Sequence, residues 1–231
     1  DVYKRQHKIL LYRTKMEQDD KIGIKMPDSA LIRSDIMLTF LYQTMSHLWF
    51  GLAVFLIIFF ICSRTAFFHA TLFQQHYSWK NRLHIIAFFS LLGILNTYWS
   101  LWGESWLINT SSIFIIVAGL VSGPLIGFAV ALLIAGHYVL LIHTKAALVS
   151  GCFFLLEGLL SGFLSGWLKG KKEMLPHAIG ISFIFAASHI ILLALFCYPY
   201  KFTPAIEDCA LQVMITTALG TGCFILSLIH I

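Results

Sequence analysis

The stretch that decides the fold runs from Asn109 to Gly170 and reads NTSSIFIIVAGLVSGPLIGFAVALLIAGHYVLLIHTKAALVSGCFFLLEGLLSGFLSGWLKG. It is apolar enough to lie in lipid, yet Gly123-Pro124 interrupts it and its hydrophobic runs contain His137 and Glu157. Small residues recur at every fourth position, a spacing that returns to one helix face and lets a second backbone approach closely. The packing positions that this pattern predicts are Gly119, Gly123, Pro124, Gly127, Gly158, Gly162 and Gly166.

The composition of the chain indicates an integral membrane protein. Of its 231 residues, 58% are hydrophobic and 12% are charged, and its mean hydropathy is +0.82, whereas soluble domains are roughly a quarter charged. Half of the 16 Lys and Arg residues lie in residues 1–36, before the first hydrophobic run. The net charge of +5 therefore gives no sign of a nucleic-acid partner. We predict an all-α, polytopic membrane bundle of about six or seven transmembrane helices in the lipid bilayer.

The hydrophobic runs define seven candidate helices. They cover residues 41–63, 83–101, 110–122, 124–142, 146–168, 175–197 and 206–225. The side chain of Asn109 is suited to cap the third helix. Pro124 cannot continue that helix but suits the first turn of the next one. We expect two passes that meet at this turn rather than one span of 33 residues.

The charges beside these runs predict the orientation. Arg64, Lys80 and Arg82 fall on one side of the membrane, and the lysines at 169–172 fall on the same side if the chain reverses at Pro124. Basic loop residues mark the cytoplasmic side. We therefore expect an external N-terminus and a cytoplasmic C-terminus.

The two ends of the sequence resemble translated sequencing adapters. DVYKRQ opens the chain and LSLIHI closes it, so we expect a fragment of a longer protein, and such tags are left out of fold reasoning. We interpret residues 1–36 as a non-native or upstream tail, 37–225 as a multi-pass transmembrane sensor domain and 226–231 as an adapter-derived tail. Met37 is then the expected start, and a cytoplasmic effector domain is missing.

Glu157 is the polar residue with the sharpest implication. A carboxylate in the middle of a membrane helix costs on the order of 2–3 kcal/mol to insert, so it should face protein or water. It could form a ligand or proton site, or a structural hydrogen bond between helices. His137 and His189 lack the spacing of a helix-borne metal site. We expect no metal, no cofactor and no catalytic residue in this segment, because no catalytic motif is present.

Several motifs together resemble a known sensor family. They are Gly93-Ile94-Leu95-Asn96-Thr97-Tyr98, Asn109-Thr110, residues 119–127 (GLVSGPLIG), Gly136-His137 and residues 157–162 (EGLLSG). From Ser63 to about Phe224 the chain resembles the five-transmembrane receptor module (5TMR-LYT) of LytS-type sensor histidine kinases, notably the pyruvate-sensing YehU branch. The resemblance implies detection of a small extracellular molecule, a homodimer, a C-terminal kinase with its response regulator, and a bacterial inner membrane.

The chain departs from that family where an anion would bind. Two arginines of the family pattern correspond to Ser111 and Tyr138, and a cysteine corresponds to Ser150. A carboxylate ligand needs the fixed cationic fork that arginine supplies. The ligand candidates Asn109, Ser111, His137, Tyr138, Ser150 and Glu157 therefore predict a polar but not cationic pocket, suited to a neutral or cationic ligand.

Two other functions stay open at this point. The module is similar to the substrate-binding subunits of energy-coupling-factor vitamin transporters, which implies a membrane component for small-molecule uptake. A related group of receptors carries a diguanylate cyclase instead of a kinase. The residues alone do not separate these alternatives. Whether the full-length parent is an enzyme is left open for the same reason.

Overall fold

The computed structural model describes residues 29–65, 79–102, 109–168, 174–197 and 203–229. The regular elements in these ranges are helices: α1 Ser29–Ser63, α2 Trp79–Trp102, α3 Ser112–Ser122, α4 Pro124–Ile142, α5 Lys145–Leu168, α6 Met174–Cys197 and α7 Thr203–Ile229. The all-α prediction is confirmed. The chain divides into two compact units. The unit Asp1–Gln43 contains the first part of α1, and the unit Thr44–Ile231 contains the helix bundle.

Six of the described helices are long and apolar enough to cross a membrane. Their candidate spans are Met45–Cys62, Trp79–Leu101, Pro124–Ile142, Lys145–Leu168, Met174–Phe196 and Ala210–Leu228. The exception is α3, which has 11 residues. At 1.5 Å per residue it is about 16 Å long, roughly half of the hydrocarbon layer. The helix predicted at residues 110–122 is therefore present but too short to cross the membrane alone, and the other six predicted runs are helices of spanning length.

The chain reverses direction at Gly123. Its φ of 92° lies outside the range that side chains favour, and Pro124 begins α4 directly after it. A methyl group on Gly127 would lie 2.8 Å from the Cα of Gly119, although a continuous helix would separate these residues by about 12 Å. The predicted turn at Gly123-Pro124 is therefore present. It joins a half-length helix to a full-length one.

Consecutive helices of the bundle run in opposite directions. Near the start of α5, Ser150 contacts His189 in the second half of α6. Near its end, Trp167 packs against His177 at the start of α6. Other neighbouring helices show the same antiparallel arrangement. For α1 and α2, His47 contacts Trp99 and Phe59 contacts Phe88. For α4 and α5, Gly127 contacts Gly158 and Val139 contacts Gly151. The end of α1 and the start of α6 therefore lie on the same side of the bundle.

The short helix α3 lies at the centre of the bundle. Its residues from Ser112 to Leu120 are all buried, and it contacts α2, α4, α5, α6 and α7. Phe114 packs edge-on against Phe55 of α1 and Phe224 of α7, with ring centroids 5.4 Å apart in both pairs. Since lipid is as apolar as these side chains, van der Waals packing rather than the hydrophobic effect stabilises this core. The long helices are thus arranged around the one described helix that is too short to cross a membrane alone.

Candidate functional site

A buried polar cluster joins α2 to the segment that leads into α3. The Asn96 side-chain amide donates to Asn109 Oδ1 at 2.9 Å and to Ser111 Oγ at 3.2 Å. Asn96 Oδ1 accepts from the hydroxyl of Thr110 at 3.2 Å, and the amide of Asn109 donates to Thr97 Oγ1 at 3.3 Å. All five residues are buried. These hydrogen bonds give the polar side chains of both segments partners that lipid would not supply.

Asn109 shapes this segment through its side chain. Its Oδ1 accepts a hydrogen bond from the backbone N–H of Ser111 at 2.9 Å, which is an Asx turn. The prediction that Asn109 caps the third helix is wrong: Ser111 occupies the N-cap position of α3, and the hydrogen bond of Asn109 closes a turn just before the helix. The hydroxyl of Ser111 lies 2.6 Å from Asn109 Oδ1 and 2.8 Å from the carbonyl oxygen of Gly93. Asn109 and Ser111 are thus held together against α2.

Glu157 forms a second polar contact, between α5 and α3. The hydroxyl of Ser112 donates to Glu157 Oε2 at 2.7 Å. The Glu157 side chain has no solvent exposure, and its other oxygen, Oε1, has no hydrogen-bond partner. Glu157 lies midway along α5, whose buried face also carries Ser150, Ser161 and Ser165. The carboxyl group therefore retains capacity to accept a hydrogen bond inside the bundle.

A third polar contact links α4, α5 and α6. Tyr138 is hydrogen-bonded to Ser150, and Ser150 Oγ lies 3.0 Å from His189 Nε2. The ring of His189 stacks on Phe153 with centroids 4.9 Å apart and meets Phe154 edge-on at 5.5 Å. Tyr138 of α4 and His189 of α6 therefore both contact Ser150 of α5.

His137 lies on a different side of α4 from its neighbour Tyr138. His137 Nε2 is 3.2 Å from the hydroxyl of Tyr98 on α2, at an exposed position. Adjacent residues of a helix point about 100° apart, so His137 and Tyr138 contact different helices. The six predicted ligand candidates therefore fall into four contacts: Asn109 with Ser111, Glu157 with Ser112, Tyr138 with Ser150 and His137 with Tyr98.

The helices that carry these polar side chains approach one another closely at glycines. A methyl group on Gly158 would lie 2.7 Å from the Cβ of Ala131 and would overlap the carbonyl of Gly127. A methyl group on Gly162 would overlap Pro124. α5 thus packs backbone to backbone on the α3–α4 turn. Gly119 faces Ser161 and Gly162 in the same contact.

Gly166 differs from the expected packing role. A methyl group there would meet nothing within 4 Å. The reason is that α5 continues to Leu168, beyond the Gly123 turn that Gly162 contacts. Gly170 lies outside the described residues. Periodicity extended the packing face of α5 past its contact with the α3–α4 turn.

The candidates from sequence omitted several polar partners. The ligand candidates inferred from the sequence do not include Asn96, Thr97, Ser112 or His189. Their partners are distant in sequence, 45 residues away for Ser112 and 39 for His189. The available signal was their position inside hydrophobic runs, where unpaired polar groups are costly. Within the described residues, no group of three or more His, Cys, Asp or Glu could hold a metal ion.

These features define a polytopic helical membrane protein with a buried polar centre. A comparison with family models places it more narrowly. The chain belongs to the family described as 5TMR of 5TMR-LYT, whose model matches residues 65–230. Domains of this family are membrane sensor input domains of histidine kinases. No curated protein and no solved structure matches the chain.

The matched residues agree with the architecture of the bundle. Five of the six candidate spans lie within residues 65–230, and so does the short helix α3. The remaining span, Met45–Cys62, precedes the match. It nevertheless packs on the bundle, since Phe59 meets Phe224 of α7 with ring centroids 4.6 Å apart. The resemblance expected from the sequence is confirmed.

Proposed function

We propose that the chain is the transmembrane input domain of a two-component sensor histidine kinase. It detects a small extracellular molecule and signals to a C-terminal cytoplasmic kinase, which acts as a homodimer and phosphorylates a response regulator. The protein lies in the bacterial inner membrane with the end of α7 on the cytoplasmic side. The family match supports the sensor role. The opposed helix directions support this topology, because they bring the basic ends at Arg64 and Lys80 to the side where α7 ends.

The observation that carries the proposal is the contact between Ser112 and Glu157. It joins a central helix that does not cross the membrane to a full-length helix. The carboxyl group has an unused acceptor in a fully buried position. A ligand that binds one helix arrangement better than another shifts the population toward it. A ligand group at Glu157 would therefore bias how α5 packs on α3.

The route to the C-terminal side passes through α7. Phe224 of α7 packs against Phe114 of α3, and a methyl group on Gly220 would lie 2.6 Å from Ile113. A change in the position of α3 is transmitted to these two contacts. We propose that α5 is the moving interface and that α3 carries the movement to α7.

A chimeric receptor tests this mechanism. Residues 1–229 are fused to the kinase region of a LytS-type protein, and output is read with a response-regulator reporter. Gly162→Leu should abolish or lock the response to extracellular medium components, because the side chain would overlap the α3–α4 turn. Gly166→Leu is the matched control, since it lies one turn further along α5 in open space.

The milder variant Gly162→Ala, together with a membrane-expression blot, separates altered signalling from failure to fold. Wild-type response in a well-expressed Gly162→Leu chimera would exclude α5 as the moving interface. An output that never depends on the medium would count against the sensor role itself.

A further inference from the structure

The carboxyl group of Glu157 has one satisfied and one free oxygen. Oε2 accepts from Ser112 at 2.7 Å, whereas Oε1 has no partner although the side chain is fully buried. Buried polar groups in folded proteins are almost always paired, so each exception requires an explanation. A carboxylate oxygen is an acceptor only. In the charged form of Glu157, the free oxygen therefore requires a hydrogen-bond donor.

None of the Lys and Arg side chains that the structure describes lies beside Glu157 in the bundle. The basic side chains that the structure describes are Arg64, Lys80, Arg82 and Lys145. Each lies at or beside a helix end, and Lys145 is the first residue of α5, about 18 Å along the helix from Glu157. Intramembrane carboxylates normally pair with another group or face a water-filled cavity. Here the described part of the chain does not supply a cationic partner.

A second buried and unpartnered polar group lies on α7. Thr216 is 1% exposed and its hydroxyl has no hydrogen-bond partner. Gly220, one turn further along α7, faces Ile113, the residue that follows Ser112. Thr216 therefore lies on the helix that packs against the start of α3. Ser112 of α3 and Glu157 of α5, which are in direct contact, together offer one carboxyl acceptor and one hydroxyl group.

We propose that Glu157 binds the ammonium group of a small organic cation. The inference rests on the proposed sensor function and names the chemical class of its ligand. A primary ammonium carries three donors: one would bind Glu157 Oε1, and the hydroxyl of Ser112, which lies beside this carboxyl group, would accept another. Its positive charge would supply the pairing that a buried carboxylate requires. A carboxylate ligand would meet repulsion at the same place.

Thermal unfolding of the full chain in detergent tests the proposal. Methylammonium, ethanolamine and putrescine serve as probes. Sodium chloride and sodium pyruvate, at matched ionic strength, are the controls for an inorganic cation and for a carboxylate ligand. At about five times its Kd, a bound amine should raise the Tm by about 2–4 °C. The rise should saturate with concentration, and Glu157→Gln should abolish it. Ser165→Ala is the matched control, because Ser165 is also a buried polar residue of α5 and its hydroxyl also lacks a hydrogen-bond partner.

Each outcome decides the assignment. A saturable shift with at least one amine that survives in Ser165→Ala and is lost in Glu157→Gln supports it. No shift with any amine, an equal shift in Glu157→Gln, or the same shift with sodium alone would overturn it. If Glu157→Gln does not fold, Ser112→Ala replaces it, and an unweakened amine shift in that variant counts against the site. A failed amine test beside a chimera that still responds to the medium would remove the ligand class and leave the sensor function standing.

Discussion

Gly127 and Gly158 face each other across the contact between α4 and α5, each in the space that a methyl group on the other would need. This approach brings α5 against the α3–α4 hairpin and positions Glu157, the residue before Gly158, beside Ser112. Small residues allow membrane helices to gain van der Waals contact that larger side chains would block. The glycine contact and the buried carboxyl group are therefore parts of one arrangement.

Gly158→Ala should destabilise the bundle by about 1–3 kcal/mol, since an added methyl group would overlap the backbone of α4. Gly180→Ala is the control, because Gly180 lies in the interior of α6 with nothing within 4 Å of an added methyl group. Thermal unfolding in detergent compares the two. A Gly158→Ala protein as stable as the control would mean that α4 and α5 do not approach as closely as described.

The turn at Gly123 gives a second prediction. Its φ of 92° and ψ of 180° fall in a region that is essentially restricted to glycine, where another residue costs about 1–3 kcal/mol. Gly123→Ala should therefore lower stability by that amount even though the added methyl group meets no atom within 4 Å. Gly136→Ala, in the helical interior of α4 and equally uncrowded, should not. Equal stabilities in the two variants would argue against the reversal.

Features of the fold that are set by adjacent residues could be predicted from the sequence, whereas contacts between residues distant in the sequence could not. The Gly123-Pro124 turn was predictable because its signal is local. The bounds of α3 were predicted to within two residues. The contact that holds the residues before it was not, because Asn96 lies 13 residues from Asn109 in the sequence. Gly166 was predicted to be a packing position because the glycine spacing does not show where the contact of α5 with the α3–α4 turn ends.

The candidate site follows the same rule. Glu157 was identified because a carboxylate in a hydrophobic run is costly wherever it lies. Its partner Ser112 depends on how α3 and α5 pack, which no spacing within either helix reveals. The expectation that His137 and Tyr138 serve one pocket came from the family resemblance, whereas the structure directs them to Tyr98 and Ser150.

The polar cluster on α2 gives a third prediction. Asn96→Leu removes side-chain hydrogen bonds to Asn109, Thr110 and Ser111. The protein should lose about 1–3 kcal/mol of stability, because buried groups on the α3 side are left unpaired. Hydrogen exchange should speed up at the first amides of α3.

Ser182→Ala is the control for Asn96→Leu, since this buried hydroxyl donates within its own helix, to the carbonyl oxygen of Ala178 at 2.8 Å. Its effect on the exchange of the α3 amides should be negligible. Unchanged exchange in Asn96→Leu would show that the cluster does not hold the start of α3.

The orientation in the membrane gives a fourth prediction. In a cysteine-free background, Lys145→Cys should react with a membrane-impermeant maleimide in intact cells, because the start of α5 is expected outside. Thr65→Cys, at the end of α1, should react only after permeabilisation. Both positions are exposed on the protein surface. Labelling of Thr65→Cys in intact cells would invert the topology and place the end of α7 outside, where no cytoplasmic kinase could follow it.

The most direct test of the central claim is to recover the gene from its source DNA and read on from the codon of Ile225. The sensor-kinase account predicts an open reading frame that continues into a phosphoacceptor histidine region and an ATP-binding domain. A continuation into a diguanylate cyclase would retain the receptor but replace its output. An in-frame stop close to that codon would contradict the account and favour a membrane component for small-molecule uptake.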